Sequence, residues 1–237
     1  RVPTAETAHK DQIIDQITRA TAFVDILNVD SGQIQFRATG SGVVMRLDGA
    51  YYVLTASHVV NPSQFKSCKP ENAIVRVKLR NATGSTSDYM GTLTAYAQDE
   101  TQPDLALIKL DASPNFSGRE IQLASGFPRI GSHLHSMGNP EGDASFFTYK
   151  DGVMSRRAAR AVPSAGTMIQ TTVPAAPGDS GSGIFNDDGE LVGILISVWG
   201  AYSFAIDSPT ISKWMRDQKL GMAVSSHTQP HYATVSN

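Results

Sequence analysis

Apolar and polar residues follow two different rhythms along this chain of 237 residues. Near the start, Ile13, Ile14, Ile17 and Ala20 recur at three- and four-residue spacing, which predicts a short amphipathic helix within residues 6–22. From Phe23 onward the period drops to two. Residues 33–38 alternate, and Val43–Leu47 leads through Asp48-Gly49 into Tyr51–Leu54, a strong hairpin signal. Residues 73–79 and 105–110 continue the strand series, while 61–72, with Pro62, Cys68 and Pro70, reads as a loop. Pro, Ser and Gly gather between Ala112 and Gly126, where we place the link between two halves. A second strand series follows at 132–137, 152–155, 167–172, 182–186, 190–198 and 202–206, with Asn186-Asp187-Asp188-Gly189 as its clearest turn. Ser208-Pro209 then opens a terminal helix through Ile211, Trp214 and Met215, with Ser208 as N-cap and Gly221 past the end. Many short strands, with helix only at the ends, predict an all-β sandwich or barrel architecture.

Composition narrows the class. A 41% hydrophobic content is enough for a real core, and 20 basic against 22 acidic residues leave no whole-chain pull toward nucleic acid or anionic membrane. The one basic cluster, Arg156-Arg157-Ala158-Ala159-Arg160, reads as a solvated loop. No stretch reaches the ~18 apolar residues of a membrane span. Cys68 is the only cysteine, so no intramolecular disulfide can form and packing alone must stabilise the fold. That suits a bacterial or viral source in any compartment; a bacterial one would fit the periplasm or secretion. The start at Arg1, without methionine, reads as a processed, excised or trimmed form whose targeting signal is out of view.

The candidate chemistry centres on Pro177-Gly178-Asp179-Ser180-Gly181-Ser182. Gly178 lets the chain turn sharply beside a substrate, and Gly181 leaves the far side of the serine uncrowded. Upstream, the apolar run 54–60 reads as a strand ending in His58, and Asp104 opens a strand over 105–110. Each piece alone has an ordinary structural reading. Together, in the order His, Asp, Ser, they match one of the three chain orders known for a nucleophile, its base and the carboxylate that orients it. His133 and His135 share a strand face but read as partly exposed strand histidines, because no third metal ligand is apparent. We therefore expect no metal. His9, His227 and His231 lie in terminal segments without an assigned role.

With these motifs placed, the chain resembles the trypsin-like, chymotrypsin-fold serine proteases, and among them the HtrA/DegP protease domain, over about residues 10–220. The resemblance rests on Gly40–Val44, Ser57-His58-Val59, Asp104–Leu110, Met137-Gly138-Asn139-Pro140, Ile169-Gln170-Thr171, Pro177–Gly181 and Ser203–Ile206. It implies two six-stranded antiparallel β-barrels over 23–115 and 116–206, with the active site between them. A helical segment (1–22) would precede them, and a C-terminal helix (207–221) and a tail (222–237) would follow, all within one protease domain. The sequence also departs from the family. Asp179-Ser180-Gly181-Ser182 is closer to glutamyl endopeptidases and several viral proteases than to the usual HtrA Asn-Ser-Gly-Gly. The 17 residues from Gly221 on are too few for the PDZ domain that HtrA proteins carry, so peptide sensing through one is not carried over.

The resemblance implies roles. Ser180 would attack a peptide carbonyl, His58 would take and return its proton, and Asp104 would hold the imidazole. The N–H groups of Gly178 and Ser180 would form the oxyanion hole, and the Asp179 side chain would point away. Tyr149, Lys150 and Asp151 fall in an active-site loop. The pocket for the residue before the scissile bond would be walled by Thr172, Pro174, Ala175, Leu195, Ile196 and Ser197. These offer neither a carboxylate for Lys or Arg nor a histidine for Glu, so cleavage is expected after Val, Ala, Ile, Leu, Met or Thr. No metal or organic cofactor is expected, and the partners are protein or peptide substrates. In HtrA proteins the N-terminal segment helps build trimers, so a homotrimer is one expected assembly. Quality control or processing is the expected role. A viral or phage protease maturing a polyprotein, or a non-catalytic binding module on this fold, are the alternatives.

Overall fold

The computed structural model describes residues 5–30, 32–61, 73–81, 84–114, 120–142, 145–159 and 165–219. Strands β1 (Thr21–Asp30), β2 (Gln33–Leu47), β3 (Ala50–Thr55), β4 (Ala73–Arg80), β5 (Thr86–Tyr96) and β6 (Ala106–Leu110) close one barrel in the order β1-β2-β3-β6-β5-β4. Strands β7 (His133–Gly138), β8 (Thr148–Ala159), β9 (Thr167–Thr171), β10 (Gly183–Phe185), β11 (Leu191–Trp199) and β12 (Tyr202–Asp207) close a second, ordered β10-β11-β12-β9-β8-β7. Every paired strand is antiparallel. Closure removes the sheet edges that would otherwise present unpaired backbone groups. This is the two-barrel, chymotrypsin-like arrangement that the resemblance implied.

Three apolar clusters fill the molecule. Val24, Ile26, Val44, Val53, Val77 and Ile108 fill the first barrel, and Leu134, Met154, Ile169, Ile184, Val192 and Leu195 the second. The third lies in the seam, where Leu54, Leu107, Phe185 and Ile194 meet Ile13 and Ile17 of helix α1 (Ala5–Ala20). Trp214 and Met215 of α3 (Ser208–Asp217) join it. Neighbouring residues divide between clusters, Val53 and Ile108 facing the barrel interior while Leu54 and Leu107 face the seam. A strand buried on both faces loses its polar alternation, which is why these segments read as continuous apolar runs.

Several local expectations change. The strand β5 was not anticipated, because its residues are half-buried or exposed throughout and show no buried stripe. His58 lies not at a strand end but on a single helical turn, α2 (Ser57–Val60). Residues 156–159 belong to β8 rather than a loop, with the Arg157 guanidinium 3.6 Å from the Phe127 ring centroid. Tyr149, Lys150 and Asp151 likewise sit in β8, paired with Met137, Ser136 and His135, not in a loop. The N-cap of α3 is Asp207, whose carboxylate accepts from the Thr210 N–H at 2.9 Å; Ser208 is already helical. Cys68, His227, His231 and Gly221 lie outside the described residues.

Candidate active site

The first barrel supplies a histidine held by a carboxylate. The chain leaves β3 at Thr55, and α2 turns His58 toward the loop before β6. There the His58 Nδ1–H donates to Asp104 Oδ2 at 2.7 Å, and the His58 backbone N–H donates to Asp104 Oδ1 at 2.9 Å. The backbone bond holds the carboxylate and the ring bond orients the imidazole, favouring the tautomer in which Nε2 can accept a proton.

The second barrel brings Ser180 against this turn. Gly181 adopts φ +89°, and a Cβ there would lie 2.1 Å from Ser41 O, 2.2 Å from Thr55 Oγ1 and 3.0 Å from Ala56 N. The residue after Ser180 is thus packed against the chain two residues before His58, closely enough that only glycine fits. A Cβ on Gly40 would meet Val59 at 2.7 Å and Ser180 O at 3.0 Å, so β2 packs closely against both segments. Gly178 adopts φ +97°, the left-handed region that glycine enters freely. Among the described residues, neither the Gly178 nor the Ser180 N–H has a backbone partner, so both donors remain available.

Buried polar groups hold this loop from outside. The Ser41 N–H donates to Ser180 O and the Ser41 hydroxyl to Gly178 O, both at 2.8 Å. Thr55 Oγ1 donates to Ser41 O at 2.7 Å. Asn139, fully buried, donates through Nδ2 to Ser41 Oγ and Ala22 O and accepts from the Phe147 N–H, each at 3.0 Å. Gly178 and Ser180 are thereby tied to β1 and β2 of the first barrel and to the chain after β7 of the second.

The Asp179 side chain, expected to point away from the reacting groups, is buried and has partners of its own. Its Oδ2 accepts from the Ala176 N–H at 2.8 Å, and its Oδ1 is in direct contact with Lys150 Nζ. The Asp179 side chain is fully buried and that of Lys150 is 11% exposed, so the two charges compensate each other away from water. Burial pulls the Lys150 ammonium below its usual value, against the opposing pull of Asp179. A buried pair of this kind anchors the residue between the two free N–H groups.

The chain shares its matched features with known proteins. Residues 40–194 match the model of the trypsin-like peptidase domain. The chain belongs to the trypsin-like peptidase family. Among curated relatives, a probable serine protease do-like of Buchnera aphidicola subsp. Acyrthosiphon pisum is 32% identical over 70% of this chain and 31% of its own length. The periplasmic serine endoprotease DegP of Salmonella typhimurium is 30% identical over 68% of this chain and 30% of its own. The chain spans about a third of the length of these relatives. The crystal structure of Deg5 superposes with a TM-score of 0.67 at 21% identity, covering 90% of this chain and 95% of that one. That of a serine endoprotease from Yersinia pestis gives 0.64 at 26%, covering 92% and 67%.

In this trypsin-like peptidase domain the six expected pocket residues differ in surroundings. Thr172, Pro174 and Ser197 are exposed, and Ala175 is half-buried against the core of the second barrel. Leu195 is 2% exposed and turned into that core, while half-buried Ile196 packs against the first barrel and the seam. None of the six borders the cavity of about 400 Å³ lined by Phe127, Arg129, His133, Asp187 and their neighbours. Ser41 and Asn139 were missed as contributors to the site, and Lys150, expected only as part of an active-site loop, was not expected to pair with Asp179. The Gly-Ser-Gly and Gly-Asn-Pro signals marked the first two as motif residues, but only the fold shows what they bond.

Proposed function

We propose that this chain is a serine endopeptidase acting through Ser180, His58 and Asp104. The observation that carries the reading is the two-bond clamp of Asp104 on His58, set against the segment that holds Ser180 through Gly181. His58 Nε2 takes the Ser180 hydroxyl proton as the oxygen attacks a peptide carbonyl, and the oxyanion is received by the Gly178 and Ser180 N–H groups. His58 then gives that proton to the leaving amine, and the acyl-enzyme remains. Water, deprotonated by His58, hydrolyses it and restores Ser180. Asp104 holds the imidazole and stabilises its cationic form throughout.

Cleavage after small or medium aliphatic residues is supported by the absence of any charged side chain at 172–176 and 194–198, where Ala175 and Ile196 are half-buried apolar residues. Burying an aliphatic group there gains about 1.5–3 kcal/mol, whereas an unpaired buried charge costs more. Relatives named as periplasmic and as Do-like or DegP-like proteases support a role in protein quality control or processing, in a periplasmic setting.

A fluorophosphonate probe is expected to label the folded chain and to ignore Ser180→Ala. Asp104→Asn is expected to lower kcat by roughly 10⁴-fold through the wrong tautomer. A folded chain that neither takes the probe nor cuts denatured protein would leave a binding module instead. Mass-spectrometric mapping of cuts tests the specificity, and a majority after Lys, Arg, Asp or Glu overturns it.

A further inference from the structure

His133 and His135, expected to be strand histidines without a third ligand, have one in the fold. The turn between β10 and β11 places Asp187 Oδ1 at 3.0 Å from His133 Nδ1 and 2.9 Å from His135 Nε2. The donor atoms of the three residues all lie within 4.8 Å of one another. The structure assigns to His133, His135 and Asp187 a binding site for a divalent transition metal, zinc above all. Tetrahedral zinc with bonds of about 2.0–2.1 Å holds its ligand atoms roughly 3.3 Å apart, so the two Asp187 contacts need to open by a few tenths of an ångström while the histidine nitrogens, within 4.8 Å of each other, adjust around the ion.

A second, independent feature points the same way. Metal-bound histidines normally give their other ring N–H to an oxygen that fixes tautomer and orientation. Here His133 Nε2 meets Asp151 Oδ2 at 3.2 Å, and His135 Nδ1 meets the Tyr149 hydroxyl at 2.8 Å. Both histidines thus have an oxygen partner behind them while their remaining nitrogens converge on Asp187. The outer layer is itself braced by helix α1, since Lys10 Nζ contacts Asp151 Oδ2 at 3.2 Å and His9 Nε2 meets Asp187 O at 2.8 Å. Two imidazoles and one carboxylate favour zinc, and related ions such as cobalt, over magnesium or calcium, which prefer all-oxygen shells. Three protein ligands leave a fourth position for water. A bound ion would clamp the β10–β11 turn onto β7, at the place where α1 also docks.

The test titrates the full chain, stripped with chelator and carrying Ser180→Ala to prevent autolysis, with zinc chloride. Calorimetry is expected to show one ion per chain. Tm should rise by about 5 °C or more when zinc exceeds Kd a hundredfold. Asp187→Asn, on an exposed turn and so compatible with folding, should weaken zinc binding at least tenfold, and Asp151→Asn by about 10–100-fold. Cobalt should give the visible absorption of a tetrahedral site in the parent chain and lose it in Asp187→Asn. Magnesium should move nothing. No heat of binding with zinc in large excess would reduce the cluster to a hydrogen-bonded charge network and overturn the proposal. Binding that survives Asp187→Asn but disappears in His58→Ala would place the ion on the His58–Asp104 pair and overturn it equally.

Discussion

Replacing Lys150 with methionine removes the charge opposite Asp179 while keeping most of the side-chain volume. The pair leaves little room to adjust. A Cβ on Gly138 would lie 2.3 Å from Asp179 Oδ1 and 3.3 Å from Lys150 Nζ, so water has no space to replace the ammonium. A buried carboxylate stripped of its partner costs roughly 3–5 kcal/mol. At about 2–4 °C per kcal/mol for a chain of this size, Tm should fall by roughly 6–20 °C. Asp179 sits between the two proposed oxyanion donors, and the loss of one such donor lowers kcat by about 10²–10³-fold. Lys150→Met should therefore reduce kcat far more than it alters KM. Adding Asp179→Asn removes the second charge, and the amide oxygen can still accept from the Ala176 N–H. The double variant should therefore regain more than half of the lost stability. The pH dependence has a definite sign. The folded-state ammonium is held below its usual 10.5, so in the window just beneath that value the unfolded chain binds more protons. The Lys150 contribution to stability must then rise with pH there, and that slope should be missing from Lys150→Met. Differential scanning fluorimetry, urea titration and steady-state kinetics on an aliphatic-residue substrate measure each quantity. A single variant with unchanged Tm and kcat, or a double variant less stable than the single one, would refute the reasoning.

Asn139→Ala deletes hydrogen bonds to Ala22 O and Ser41 Oγ and leaves the half-buried Phe147 N–H without its acceptor; urea denaturation should show a loss of roughly 2–4 kcal/mol, with kcat reduced as Ser41 loosens. Gly181→Ala forces a side chain into left-handed backbone and onto Ser41 O and Thr55 Oγ1. The backbone penalty alone is about 1–2 kcal/mol, and fluorophosphonate labelling should drop with it. Ile17→Ala truncates a fully buried residue of α1, and a loss of about 2–5 kcal/mol in thermal or urea unfolding is expected. An unchanged midpoint would mean that α1 does not contribute to the seam.

Much of the fold was legible because its signals are local. Asp48-Gly49 sets a hairpin by its own backbone preferences, and the apolar runs of β3, β4 and β6 report burial within a few residues. β5 was not legible, since an exposed strand closing a barrel is specified by its neighbours' backbone and not by its own side chains. The one-turn helix under His58 escaped for a related reason: four residues carry no period. In the candidate site, Ser180, His58 and Asp104 stood out because three local pieces, each ordinary alone, fall in one recognisable chain order. The partners of Lys150, Asn139 and Ser41 did not, because a buried pair or hydrogen bond is a property of two segments at once.

The same division governs the histidines. The sequence by itself determined that His133 and His135 share one strand face, because side chains repeat every second residue along a strand. Only the tertiary structure decided that Asp187, 52 residues beyond His135, would close on them. That choice depends on the pairing of β10 with β7, a long-range contact set by barrel closure and by the apolar seam. Neither leaves a trace in the spacing of the ligands themselves.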